Sequence, residues 1–239
     1  ILSAEADLSR RCLSYDMQGL SYREYMIMYH NIHLPLVSLS DILHNSVAIC
    51  EEVNKLCRPL KHFTHYLQQG YYPFGAEGFA TYNQRVENTV ELLLNIELPQ
   101  LRKVDIGNIR KLKALLSVLA SEVPMLVDTA KLSTLLGISR NTLLAYLEYL
   151  DEAKLIKRLY SDDLSVKKMQ KPDKILMDNC NLLKVLALKE PNIGTLRETF
   201  FCNQLGYQHQ VEYSKQGDFL IDHQITFEIG GQAKEGKQV

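Results

Sequence analysis

The run Asp128-Thr129-Ala130-Lys131-Leu132-Ser133-Thr134-Leu135-Leu136-Gly137-Ile138-Ser139-Arg140-Asn141-Thr142-Leu143 decides how this chain is read. Asp128 or Thr129 can cap a helix that carries Leu132, Leu135 and Leu136. Gly137-Ile138-Ser139 then makes a short turn, and Ser139 can cap the next helix. That helix carries Leu143, Tyr146, Leu147 and Leu150 at spacings of three, one and three, which holds them on one apolar stripe. Upstream, residues 109–119 give a further helix, so three helices follow one another through tight turns, the pattern of a helix-turn-helix. Downstream, Leu155-Ile156-Lys157-Arg158-Leu159-Tyr160 and Leu164-Ser165-Val166 flank polar Ser161-Asp162-Asp163, reading as two strands with a wing between them. Residues 106–166 are therefore predicted to form a winged helix-turn-helix.

Toward the N-terminus the pattern is helical. Ser21-Tyr22-Arg23-Glu24 is a capping box and should open a helix with Tyr22, Tyr25, Met26 and Tyr29. Ile42, Leu43, Val47, Cys50, Val53 and Cys57 recur on one helical face, which predicts a core-facing helix that stops before Pro59. The next helix should run from Pro59 to Gln69, with Pro in its first turn and Gly70 just past its end. After a glycine-rich turn, a long helix from about Thr81 carries Val86, Val90, Leu93, Leu94 and Leu98 to a break at Pro99. Toward the C-terminus, Ile175-Leu176-Met177 reads as a strand, residues 181–188 as a short helix, and residues 195–205 as a helix opened by Thr195. Residues 211–213, 218–221 and 226–229 read as three strands. The expected fold class is mainly α, with a small α/β unit at the C-terminal end.

Composition narrows the function classes. With 27 Lys and Arg against 28 Asp and Glu, bulk charge cannot hold the 239-residue chain on DNA or an anionic membrane, so any such partner must meet a local patch. No apolar run approaches the roughly 20 residues that span a bilayer, so no membrane partner is expected. Five cysteines, Cys12, Cys50, Cys57, Cys180 and Cys202, are odd in number and scattered, which favours a reducing, cytoplasmic setting. The chain begins with Ile1 and ends on Lys237-Gln238-Val239 straight after a strand-like run, so it reads as an excerpt of a longer protein.

Six segments in order carry a resemblance. They are Arg10-Arg11, Leu20-Ser21-Tyr22-Arg23-Glu24-Tyr25, Tyr66-Leu67-Gln68-Gln69-Gly70-Tyr71-Tyr72-Pro73, Leu136-Gly137-Ile138-Ser139-Arg140-Asn141-Thr142, Gly194-Thr195-Leu196-Arg197-Glu198 and Glu228-Ile229-Gly230-Gly231. In this order they resemble a prokaryotic group of AAA-superfamily ATPases, in which a nucleotide-binding core precedes a helical lid, a winged helix and a restriction-endonuclease-like domain. The resemblance implies that residues 1–105 are the end of the AAA core and the lid region. It makes 106–166 the winged helix and 167–239 the endonuclease-like domain, truncated. It departs from the family in that no G-x-x-x-x-G-K-[ST] is present, the stretch from Gly70 to Gly78 offers no Lys to a phosphate, and the family's C-terminal domain usually continues further. ATP and magnesium are thus expected only for a full-length parent, with no cofactor in this chain, and the function implied is regulation and interaction, coupling nucleotide state to a partner or nucleic acid. A stand-alone winged-helix DNA-binding module and a metal-dependent nuclease are the rival readings.

The candidate residues follow from these two lines. The resemblance puts Arg10 and Arg11 where an arginine would sense a γ-phosphate, against the plainer reading of a basic pair at a helix C-terminus. Arg140, Asn141 and Thr142 open the predicted recognition helix, where they would meet base edges, and Lys157 and Arg158 would reach phosphate. Between Arg110 and Arg158 there are eight basic and five acidic residues, a modest excess, and Glu148, Asp151 and Glu152 put acid at the far end of the same helix. A packing module between domains is the competing role. Glu198, Asp218 and Glu228 resemble the acidic residues of the endonuclease fold, which would hold a divalent metal. Gly230 stands where that motif needs a Lys, so a vestigial site is expected. His30/His33 and His62/His65 are i, i+3 pairs for which hydrogen-bonded imidazoles are the default, since zinc needs four ligands. The tyrosines Tyr22, Tyr25, Tyr29, Tyr66, Tyr71 and Tyr72 lack basic interleaving and read as packing elements rather than a base-stacking surface. Duplex DNA, a protein partner and self-association are the partners that remain open.

Overall fold

A computed structural model describes residues 15–102, 106–161 and 171–230. It divides into two compact units, Gln18–Asn83 and a second that takes in Gln84–Val239. Among the described residues the structure is mainly helical, and no helix is long and apolar enough to cross a membrane.

In the unit Gln18–Asn83, α1 spans Tyr22–His30 and opens on the predicted capping box: Ser21 Oγ accepts from the Glu24 amide at 3.2 Å, and the Glu24 carboxylate accepts from the Ser21 amide at 2.8 Å. Helix α2 spans Leu39–Leu56 behind a second capping box, Ser38 with Asp41. Helix α3, Pro59–Gln69, has Pro at its start, and two 3-10 turns follow, Pro73–Glu77 and Phe79–Thr81. The interior is aromatic. Tyr25, Tyr66, Tyr71 and Tyr82 are all buried. Two of the polar tips find backbone: the Tyr66 hydroxyl donates to Leu20 O at 2.7 Å, and the Tyr72 amide donates to the Tyr82 hydroxyl at 2.9 Å. Gly70 sits where a Cβ would fall 2.5 Å from the Tyr66 ring, which is why the helix ends on a residue without one.

The predicted core face of α2 is not a core. The helix is present, yet none of its residues is buried, and Ile42, Leu43, Val47 and Leu56 are exposed. Aromatic side chains of α1, α3 and the turns already fill this unit's interior, so α2 shows an apolar face without a covering layer.

In the second unit, α4 (Tyr82–Leu92) continues through a π turn, Leu93–Glu97, into α5, Leu98–Arg102. The chain therefore does not break at Pro99, contrary to the sequence expectation. Proline cannot donate to the carbonyl one turn back and its ring crowds that carbonyl; a widened π turn just upstream relieves both. Next come α6 (Ile106–Glu122), β1 (Met125–Leu126), α7 (Thr129–Leu136), α8 (Arg140–Glu152), β2 (Ile156–Leu159) and β3 (Lys174–Met177). The three strands form an antiparallel sheet in the order β1-β3-β2, with Lys157 opposite Leu176 and Met125 opposite Ile175.

That register moves an expected boundary. The strand proposed at Leu164-Ser165-Val166 lies outside the described residues, and the strand at Ile175-Leu176-Met177, expected in the C-terminal α/β unit, pairs with β1 and β2 instead. All four residues of β3 are buried, with α6 and α9 (Cys180–Leu186) packed on the strand. An apolar run buried in this way carries no alternation to name its partner. After α9, α10 spans Ile193–Leu205. It opens on Asn192, whose side chain accepts from the Thr195 amide at 2.9 Å, so Thr195 stands inside the helix rather than at its cap. Strands β4 (Val211–Tyr213), β5 (Phe219–Ile221) and β6 (Ile225–Phe227) make an antiparallel meander. Phe201 of α10 packs on Phe219 and Phe227 of that sheet.

Candidate nucleic-acid interface

The turn between α7 and α8 is set by three residues. Asp128 caps α7 by accepting from the Ala130 and Lys131 amides, each at 3.0 Å. Gly137 ends α7 at φ +58, a left-handed conformation in which L side chains are strained, and Lys111 of α6 donates to its carbonyl at 2.7 Å. Ser139 then caps α8, accepting from the Thr142 amide at 3.1 Å. Leu143, Tyr146, Leu147 and Leu150 anchor α8 on its buried face.

This arrangement sorts the five predicted contact residues. Arg140 and Asn141 are exposed on the first turn of α8. Thr142 is half-buried, and its hydroxyl lies 2.8 Å from Ser139 Oγ, so it serves the cap. Lys157 is half-buried on β2. Arg158 differs from its assigned role: its Nε donates to Asp151 at 3.1 Å and its amide to the same carboxylate at 3.3 Å. It is engaged as an internal tie between β2 and α8. Spacing showed a cation on the wing strand but not the acid one helix away that would claim it.

The acid at the far end of α8 is likewise paired. Glu152 forms an ion pair with Arg102 of α5, whose guanidinium also lies over the Tyr149 ring at 5.3 Å. Asp151 is met by Arg158. Asp151 and Glu152 at the C-terminal end of α8 are thus engaged, Glu148 is exposed, and the N-terminal turn exposes Arg140.

The acidic trio does not assemble as the endonuclease resemblance implies. Glu198 is half-buried against the buried Lys174, whose Nζ donates to it at 2.6 Å and lies 4.6 Å from the centre of the Phe219 ring. Asp218 accepts from the Ile229 amide at 2.6 Å, tying the β5 strand to the residues after β6, and Glu228 is exposed. Among the described residues no three His, Cys, Asp or Glu side chains form a group that could hold a metal ion. Lys174 is the residue the sequence reading missed. A lysine opening an apolar strand gave no sign that it would be buried and paired.

Among the described residues the glycine-rich stretch does not serve as a phosphate loop either. In the glycine-rich stretch the amides of Gly70, Gly75 and Gly78 donate to Tyr66 O, Tyr72 O and Gly75 O, so they are spent on the local turns and do not fit a nucleotide cradle. Arg10 and Arg11 lie outside the described residues.

A family model described as a domain of unknown function, DUF8612, matches residues 60–192, more than half of the chain. The chain belongs to the DUF8612 family. The matched DUF8612 segment holds α6, the α7–α8 turn and the β1-β3-β2 sheet whole, with Arg140, Asn141, Lys157 and Arg158 inside it. Glu198, Asp218 and Glu228 fall beyond its end. The DUF8612 chain is also similar, at 24% identity over its whole length, to an uncharacterized protein of Methanocaldococcus jannaschii, MJ1637, and it spans 55% of that relative's length. No solved structure matches it.

A second cluster of polar side chains lies in the other unit of this DUF8612 protein. His30 and His65 converge on the Tyr25 hydroxyl and His62 packs ring against ring with His30, while His33, its expected pair mate, is exposed. The tyrosines singled out from sequence are packing elements, as expected for Tyr25, Tyr66 and Tyr71.

Proposed function

We propose that residues 106–177 are a winged helix whose α8 N-terminal turn contacts nucleic acid, within the C-terminal interaction part of a larger AAA-type ATPase. The observation that carries the reading is the element order α6-β1-α7-α8-β2-β3 with strands in the order β1-β3-β2. It supplies a capped second helix behind a tight turn and a hairpin beside it, the layout in which a recognition helix enters a groove by its first turn. The charge distribution on α8 supports the same polarity: Asp151 and Glu152 at its far end pair with Arg158 and Arg102, and Arg140 is exposed at the near end. In the ATPase, this module would couple the nucleotide state of the core to the bound partner, with ATP and magnesium held elsewhere in the parent.

The α10-β4-β5-β6 order is consistent with the endonuclease-like domain that the resemblance implies, but the Lys174–Glu198 pair gives a nuclease reading no support. The deciding experiment is duplex-DNA binding by this chain, followed by fluorescence anisotropy across a salt series. Binding that weakens with salt, and a slope that falls by about 0.9 in Arg140→Ala, supports the nucleic-acid reading, since each phosphate contact contributes about that much. Absence of binding to any duplex at low ionic strength overturns it and leaves a protein partner as the occupant of the module.

A further inference from the structure

The histidines gathered round Tyr25 play no part in that reading, and their geometry has a consequence of its own. His30 closes α1, and His62 and His65 lie one turn apart on α3. The Tyr25 hydroxyl is 2.8 Å from His65 Nδ1 and 3.3 Å from His30 Nε2, and the His30 and His62 ring centroids are 3.9 Å apart. Tyr25 is 1% exposed, so its hydroxyl depends on these partners. A phenol has one proton to donate and lone pairs with which to accept. With both imidazoles neutral the count closes: His30 donates from Nε2, and the hydroxyl donates to the lone pair on His65 Nδ1. Protonation of His65 converts that acceptor into a donor and leaves the phenol proton without it. Protonation of His30 and His62 sets two cations ring against ring.

The charged neighbours that act on His30 add to that charge. From α3, Lys61, His62 and His65 act on His30, all of them cationic when charged. From α1, Tyr25 and Tyr29 contribute phenols that burial keeps protonated. The turn residue packed on His65 is Phe79. Glu24 of α1 is committed to its capping box.

We infer that His30 and His65, with His62 stacked on His30, form an acid-sensitive latch between α1 and α3, which loosens the Gln18–Asn83 unit as His30 and His65 take up protons. The direction of titration agrees. Burial, reinforced by the neighbouring histidines, holds His30 and His65 below the ordinary imidazole value of 6.5. The open state then takes its protons first, so stability is intact above that value and is lost as pH falls below it.

Amide hydrogen exchange on the 239-residue chain, corrected for the intrinsic rate at each pH, provides the test. Between about pH 7.5 and about pH 5, protection of α1 and α3 should fall about tenfold per pH unit for each proton taken up on opening, while α6 and α8 keep theirs. His62→Gln, which spares both Tyr25 hydrogen bonds, should reduce that pH dependence. Protection of α1 and α3 that is flat with pH, or pH dependence unchanged in His62→Gln, overturns the latch. Should that variant fail to fold, histidine ring titration by NMR on the unaltered chain decides. Midpoints for His30 and His65 below 6.5 sustain the inference, and midpoints at or above it refute it.

Discussion

At the residue scale, Lys174 and Glu198 have the largest energetic consequence. Their side chains are 8% and 14% exposed, so neither charge has water to fall back on. Glu198→Ala leaves an ammonium buried beneath Phe219 and should cost about 3–5 kcal/mol in urea unfolding. The double replacement Lys174→Met with Glu198→Leu should recover most of that loss, because two apolar groups of similar size need no mutual charge. Magnesium should leave the unfolding midpoint of the unaltered chain where it is. Asp178, between β3 and α9, gives a pH test of opposite sign to the histidines. Burial lifts its carboxyl to about 6, above the ordinary 3.8 and against the pull of Asn179 and Lys157. A raised folded-state value means the stability it contributes is complete below 3.8 and lost as pH rises through 6. Asp178→Asn should therefore stabilise the protein at neutral pH by roughly 2 kcal/mol and have little effect near pH 4, as thermal unfolding at the two pH values would reveal. Neither result was legible from sequence, since burial of a lone Lys or Asp is set by distant elements.

At the element scale, the α7–α8 turn was legible almost to the residue. Asp128, Gly137 and Ser139 act on amides within a few positions of themselves, and such short-range bonds form wherever the local sequence permits. Gly137→Ala should cost about 1–2 kcal/mol because it forces a Cβ into the left-handed region, even though open space surrounds it. A drop in melting temperature without loss of helix signal would match that account. Arg158→Ala separates the internal tie from the interface: it should lower stability by about 1 kcal/mol through Asp151 while leaving the salt slope of any DNA binding unchanged. If Arg158→Ala flattens the slope as Arg140→Ala is expected to, the assignment of Arg158 to the fold is wrong. The α2 face shows the opposite limit. Its periodicity located the helix correctly, but amphipathicity states that an apolar face exists and is silent on what covers it.

At the scale of the whole molecule, the six ordered segments and the missing phosphate loop lead to one functional expectation: no saturable binding of an ATP analogue by this chain at micromolar concentration. Calorimetry checks it, and a measurable binding isotherm would show that residues outside the glycine-rich stretch can cradle a nucleotide. The physical ground is that Gly70, Gly75 and Gly78 already donate their amides to neighbouring carbonyls.

Sequence alone determined most of the helices and strands and the caps at Ser21, Asp128 and Ser139, because caps, turns and hydrophobic periods depend on residues close together in the chain. Tertiary structure alone decided which strand completes the β1-β3-β2 sheet, how the helix passes Pro99, and that Glu198 faces Lys174 rather than Asp218 and Glu228. It also decided that Arg158 turns to Asp151 and that two histidines from two helices meet at Tyr25 with a third against one of them. Each of these is a pairing across many residues, selected by which partner satisfies a buried charge, a backbone ladder or a hydroxyl at least cost, and spacing along the chain carries no record of that competition.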